Sequence, residues 1–469
     1  MKSVLMIAYF FPPEGNAGSY RPLRFVRALA TLGWDVRVIS VNPYSYDRYD
    51  PLLLNSVPPE IEIIRVQGRD WWQAIQAWRG KKEKAVLAQA SIEQAKKIHS
   101  AQWAPFRSRL RSAVRKIEAA YYLPDRAMPW IRPAFKAAVD TCLMKKPDVI
   151  WATVGPISSG LVAFQLSQQI HVPYVLDFRD PWGLNYYPDD LIRPKFASCR
   201  VRSIMRQIFE QAESIVFLFD SVAECYLQAY PGFINEKKIH IIPNGFEGSL
   251  DDFTLPFGER LTILYAGTLG TYRYDTLLQG LKFLKQRQPA VGKRLRLLFV
   301  GDGNEPLLRE ATMVGLNDII ETIGVVPYKE IQCIHRESHA FLILGRPSEV
   351  KGHELVAGAK LFGYLKARRP IIGVLPRDET RNILANVGVS TIADVESPYE
   401  IALVFQRVLE TWINGSLEAL LPDPVKCEAY SIEQQGVALI GALEGKVQKK
   451  TFFPGTVKIP SSLREDISQ

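Results

Sequence analysis

Two glycine-bearing turns in this chain are each followed by helical sequence that starts with the wrong sign of charge. In "VLMIAYFFPPEGNAGSYRPLRF" an apolar run breaks at Gly15, Asn16, Ala17 and Gly18, and Arg21 and Arg24 follow in the first turns of a helix. In "ELVAGAKLFGYLKARRPIIGVLP" a helix starts near Gly358 with Lys360 in its first turn, and Gly363 keeps the Lys360 face open. A helix N-terminus is the positive end of its dipole, so a cation there is disfavoured by about 0.3–1 kcal/mol. A bound anion offsets that penalty, and two such starts suit a diphosphate. The plainer alternative puts Arg21 and Arg24 in water or against Glu14. Arg273, just past the Gly267–Gly270 turn in "YAGTLGTYRYD", is a third candidate cation, with solvent as its alternative surroundings. "VLDFRDPWGLN" gathers Asp177, Arg179, Asp180 and Trp182 at the end of a strand, where polar side chains make functional loops. A local Asp177–Arg179 pair is the competing reading.

Other chemistries fit poorly. The first turn reads G-N-A-G rather than G-x-G-x-x-G, and the second strand ends at Val41-Asn42 without a carboxylate for a ribose, which argues against a dinucleotide site. No GxxxxGK[ST] loop is present. Five scattered cysteines without CxxC spacing point to a reducing compartment and away from disulfides or zinc. His335 and His339 stand four apart on an expected helix, but nothing in the sequence completes a ligand set around them.

The elements that would position these residues alternate. Val4–Phe11, Asp35–Val41, Ile61–Val66, "PDVIWAT", "PYVLDF", "SIVFLF" and "IHIIP" read as strands separated by amphipathic helices. Each is apolar through its middle, as a parallel sheet covered on both faces requires. Lys2 with the following apolar run imitates a signal peptide, but no small-residue cleavage site follows, so it is read as the first strand. A second series, "LTILYAG", "LRLLFVG", "IIETIG", "AFLILG" and "PIIGVL", starts after the turn-rich "IIPNGFEGSLDDFTLPFGER". At 469 residues two domains are the expectation. The first is 1–245, with a basic helical insert over about 65–125. The second is 246–426, a helix over 427–447 returns to the first domain, and 448–469 is a loose tail. The fold class is α/β, two doubly wound Rossmann-like domains expected to face a central cleft at the carboxyl ends of their strands.

The net charge of +9 is concentrated in one segment. From Arg65 to Lys116 thirteen basic residues face Asp70, Glu83 and Glu93, a net +10 that leaves the rest of the chain near neutral and argues against nucleic acid as a partner. Trp71, Trp72, Trp78 and Trp103 lie among those charges, a pattern that fits an anionic membrane surface, with a solvated helical insert as the alternative. No run reaches the roughly 18 apolar residues of a membrane span.

"YFFPPEGNAGSYR", "PDRAMPW", "PYVLDFRDPW", "IIPNGFE", "YAGTLG", "FVGDG", "GVVPYKE" and "KLFGYLKARRPII" occur in an order that resembles the retaining glycosyltransferases of family 4. The similarity runs from about Lys2 to Trp412, and the D-F-R-D-P-W signature resembles the branch linked to bacterial surface polysaccharides. The resemblance implies the GT-B fold and a nucleotide-diphosphate sugar as donor. It also implies a lipid-linked or oligosaccharide acceptor, no metal or other cofactor, and a cytoplasmic location at the inner face of the membrane. Asp180, Arg179, Arg273 and Lys360 would then be catalytic. Gly15, Asn16, Gly18, Gly267, Thr268, Gly301, Val325, Val326, Glu349, Glu354 and Leu361 would contact the donor. Arg21, Arg24, Asp177 and Trp182 would lie on the acceptor side. The second of the family's paired glutamates, which holds the donor ribose, corresponds here to Gly363, with Leu355 eight residues earlier and Glu354 and Glu349 nearby. A non-catalytic sugar-nucleotide binder and a GT-B nucleotide-sugar epimerase are the alternatives.

Overall fold

Continuous apolar strands make two parallel sheets, each belonging to its own unit. The computed structural model describes residues 1–46, 48–70, 104–184, 188–270, 272–346, 355, 357–358 and 360–447. One unit comprises Met1–Ile242 and the stretch that begins at Gly436; the other runs from Pro243 to Gln435. The tryptophan-bearing part of the basic insert, the tail, Glu349 and Glu354 lie outside the described residues.

The first sheet holds β1 (Ser3–Ile7), β2 (Asp35–Val41), β3 (Glu62–Val66), β4 (Val149–Val154), β5 (Tyr174–Phe178), β6 (Ser214–Phe217) and β7 (Ile239–Ile241). Their order is β3-β2-β1-β4-β5-β6-β7, every pair parallel. The chain moves outward one way from β1 and then the other way from β4, so the topological switch lies between those two strands. The side chains of β1, β4, β5 and β6 are buried throughout, on both faces. β1 is shorter than the sequence suggests: Ala8 still donates to Ile39, but Pro12 and Pro13 have no N–H to carry the ladder on.

Helix α1 (Tyr20–Thr31) buries Pro22, Leu23, Phe25, Val26 and Leu29 on the sheet side. The part of the last described helix (Ile432–Leu443) that belongs to this unit, from Gly436 on, meets α1, where a Cβ at Gly436 would stand 2.9 Å from that of Ala28. Lys2 and Glu444 pair at 2.7 Å beside it.

The second sheet holds β8 (Leu261–Ala266), β9 (Leu295–Val300), β10 (Ile320–Ile323), β11 (Ala340–Leu344), β12 (Ile371–Leu375) and β13 (Ile392–Asp394), in the order β10-β9-β8-β11-β12-β13, again all parallel. Its switch lies between β8 and β11. Leu261, Ile263 and Tyr265 of β8 pack with Leu277, Leu281 and Phe405 in one apolar core. The three-residue edge strand β13 was not read from the sequence, because it is too short to show a period of its own. His335 lies on the helix Tyr328–Glu337 while His339 lies beyond its end, so the two do not share a helix face. His339 Nδ1 accepts from the Thr262 amide at 3.1 Å, and His335 packs 5.2 Å from the Phe341 ring.

Candidate functional site

In the second unit the turns after β8 and β9 pack backbone against backbone. Gly267 and Gly301 sit at φ +136° and +143°, conformations open to glycine, and a Cβ on Gly301 would lie 2.6 Å from the Gly267 carbonyl oxygen. Tyr265, the penultimate residue of β8, donates from its hydroxyl to Thr268 O at 3.2 Å and fixes the turn.

Lys360 reaches this place from helix α2 (Lys360–Lys366). Its ammonium lies 3.7 Å from the Tyr265 ring centroid and 5.2 Å from that of Tyr272. A Cβ at Gly267 would stand 3.0 Å from Lys360 Nζ, so the glycine also makes room for the lysine. Tyr364, one turn on, accepts the Ala266 amide at 2.9 Å and stacks on Phe341 at 4.3 Å, which locks α2 to the end of β8. Burial pushes the Lys360 ammonium down to about 7, because no described carboxylate stands by to stabilise the charge. The helix begins at Lys360 itself rather than near Gly358, since Gly358 enters only through a turn bond to Leu361.

Arg346 follows β11, on the other side of the switch. Its guanidinium lies 5.8 Å from the same Tyr272 ring. Sequence reasoning missed Arg346, Tyr265 and Tyr272; the signal available for Arg346 was its position just past an apolar strand. Arg273, which the resemblance places at the diphosphate, holds Asp275 at 2.9 Å and Glu396 at 2.5 Å. Its charge is therefore already compensated. Leu361 is fully buried in the unit's core, and Val325, largely exposed, lies with Val326 past the end of β10. A Cβ on Gly363 would meet nothing within 4 Å.

In the first unit the Pro12–Gly18 turn is organised by Glu14, which is 1% exposed and accepts from the Asn16 amide and, at 2.7 Å, from the Ser19 hydroxyl. Arg21 neither points into water nor pairs with Glu14. It is buried and grips Asp177 at 2.9–3.2 Å while donating to Ile242 O at 2.9 Å. Arg21 and Asp177, expected on the acceptor side, thus neutralise each other inside the unit. Asp177 is the fourth of the five residues of β5, opposite Thr153 and Val216, and is fully buried.

Arg179 bonds Asp180 at 2.5–2.8 Å, leaving Asp177 to Arg21. A Cβ on Gly18 would sit 2.6 Å from Arg179 Nη1, so the glycine turn exists to let that guanidinium lie across it. Trp182 donates its amide to Asp180 O at 2.8 Å and accepts from the Tyr226 hydroxyl at 2.6 Å. Arg24 is half-buried on α1.

Asp125, in the "PDRAMPW" block, accepts from the Ser158 amide, the Ser158 hydroxyl and the Ala127 amide at 2.7–2.9 Å. Burial pushes the Asp125 carboxyl above the usual carboxylate range, and those donors work against the rise.

The basic segment opens with side chains that are already committed. Arg65 donates to Pro12 O, to Ser40 Oγ at 3.1 Å, and to Val41 O and Tyr46 Oη at 3.2 Å; Arg69 donates to Ser45 O at 2.5 Å. These two arginines brace loops of the first unit and are not spare charge for a membrane.

Residues 18–245 match the family model described as a Glycosyl transferase 4-like domain. No curated protein sequence matches the chain. Among solved structures, sucrose-phosphate synthase from Thermosynechococcus elongatus is 14% identical, with 95% of this chain and 98% of that one aligned at a TM-score of 0.56. Anabaena Alr3699/HepE in complex with UDP is 12% identical over 95% and 100% of the two chains, at 0.57. The lipopolysaccharide outer core galactosyltransferase WaaB is 14% identical over 95% and 99%, at 0.53. The fold is GT-B.

Proposed function

We propose that this protein transfers a sugar, with retention, from a nucleoside-diphosphate sugar to a lipid-linked or oligosaccharide acceptor in the assembly of a bacterial surface glycan. The observation that carries the reading is the Lys360 ammonium, set against two tyrosine rings and the Gly267–Gly301 turns at the switch point of the second sheet. A buried cation with no described counter-ion is a receptor for an anion. It stabilises a leaving diphosphate as its charge develops, without a metal. The neighbouring turns let a phosphate or ribose approach the backbone closely.

HepE, of the same fold, is described with UDP and with UDP-glucose, which supports a nucleotide sugar as the donor here. Arg179, Asp180 and Trp182 are the groups we assign to the acceptor side. They follow β5, and Gly18 of the turn after β1 makes room for the Arg179 guanidinium. Front-face attack, with a phosphate oxygen of the leaving group taking the acceptor proton, is the mechanism that needs no carboxylate nucleophile. The "PYVLDFRDPW" block motivates the surface-glycan assignment.

Thermal-shift titration with uridine, guanosine, adenosine and thymidine diphosphates identifies the nucleotide, because a ligand that binds only the folded state raises the melting temperature. Release of that nucleotide from its sugar adduct, with and without acceptor, then measures turnover. Lys360→Ala is expected to abolish the shift and lower turnover by about a hundredfold or more. Unchanged turnover in that variant removes the site from the second unit.

A further inference from the structure

One ammonium does not match the charge of a diphosphate, so a second cation is needed beside it. Arg273 is the choice that the family's motif order suggests, but its guanidinium donates to Asp275 and Glu396. Two carboxylates against one guanidinium leave that corner negative, a poor receptor for a phosphate. Arg346 has the opposite surroundings. Among the described residues no carboxylate approaches it, and its guanidinium lies 5.8 Å from the Tyr272 ring that also receives Lys360 at 5.2 Å.

Strand order explains the meeting. β8 and β11 are neighbours, so the loop bearing Tyr272 and the residue leaving β11 come to the same edge of the sheet. The Arg273 amide donates to Gly345 O at 3.4 Å, which ties the two loops together one residue from each cation's anchor. An aromatic face attracts a cation without neutralising it, so the ring holds both heads in place and leaves their charge for a ligand.

Resting on the donor-site reading above, we propose that Arg346, and not Arg273, is the second phosphate-binding cation, held beside Lys360 by the shared face of Tyr272. The planar fork of an arginine can bond two phosphate oxygens at once, while the lysine acts as a point charge. The Asp275–Arg273–Glu396 cluster is then a brace that shapes the Tyr272 loop.

The test uses the full chain and inorganic pyrophosphate, measured by calorimetry at pH 7, with melting temperature and near-ultraviolet dichroism confirming that each variant folds. Arg346→Gln is expected to weaken pyrophosphate at least tenfold. Arg346→Lys, which keeps charge but loses the fork, weakens it less. Tyr272→Leu, which removes the shared face, weakens it with both cations still present. Arg273→Gln changes it less than threefold. Wild-type protein that binds pyrophosphate while Arg346→Gln stays within twofold overturns this inference alone. An Arg273→Gln loss equal to that of Arg346→Gln overturns it as well. Wild-type protein that binds neither pyrophosphate nor any nucleoside diphosphate overturns the donor-site reading and this inference with it.

Discussion

Diphosphate binding should carry a proton into the protein. Burial against Tyr265 and Tyr272 pushes Lys360 down to about 7, so above that pH most ligand-free molecules hold a neutral amine. A bound diphosphate returns the ammonium toward its ordinary range, so binding above pH 7 requires uptake of a proton. At pH 8 the uptake is about 0.9 proton per site, and affinity falls about tenfold for each further pH unit, or about 1.4 kcal/mol. From pH 7 to 9 the dissociation constant should therefore rise about fiftyfold, because half of the amine is already neutral at pH 7.

Other groups leave this window clear. The terminal phosphate, with a second ionisation near 6, is fully charged by then. Burial holds Tyr265 and Tyr364 above their ordinary range, so both stay neutral. The ligand-free protein should show the reverse slope. Between about pH 7 and 10 the unfolded chain holds more protons on this lysine than the fold does, so stability rises with pH. Calorimetry in two buffers of different ionisation enthalpy counts the protons directly. Lys360→Arg, charged throughout, should bind with an affinity that hardly changes over the window. A flat wild-type profile, or a Lys360→Arg profile as steep as wild type, refutes the account.

Three further outcomes follow from single contacts. Asp177→Asn breaks the buried ion pair with Arg21 and should destabilise the protein by about 3–5 kcal/mol in urea titration, whereas the double variant Arg21→Met/Asp177→Leu should recover most of that loss. Gly363→Glu has open space around it and should raise the melting temperature, since glycine inside a helix is worth about 0.5–1 kcal/mol less than a good helix former; if the ribose lies there, nucleoside diphosphate affinity also rises about tenfold while pyrophosphate affinity does not. Asp378, buried at the N-terminus of the helix Glu379–Asn386, is raised to about 7, so the stability of its protonated form is present below about pH 4 and lost as pH climbs through 7. Asp378→Asn keeps an acceptor for the Arg381 amide and should be more stable than wild type by about 1–2 kcal/mol at pH 8, with the gap closing toward pH 4.

The sequence by itself determined the parallel sheets, their apolar strands and the strand ends at which polar side chains collect. Hydrophobic period and turn composition are local properties, written within ten or fifteen residues. It also marked Lys360 and the Gly267 and Gly301 turns, because a glycine or a cation at a strand or helix end stands out without knowledge of its neighbours. Charge pairing was decided elsewhere. Arg21 finds Asp177 across 156 positions and Arg273 finds Glu396 across 123, and both pairings depend on which strands lie side by side. Arg346 looked ordinary until strand order set β11 beside β8 and brought its guanidinium to Tyr272. A side chain's charge is fixed by its type, but whether that charge is spent or available depends on what the fold places within about 4 Å of it.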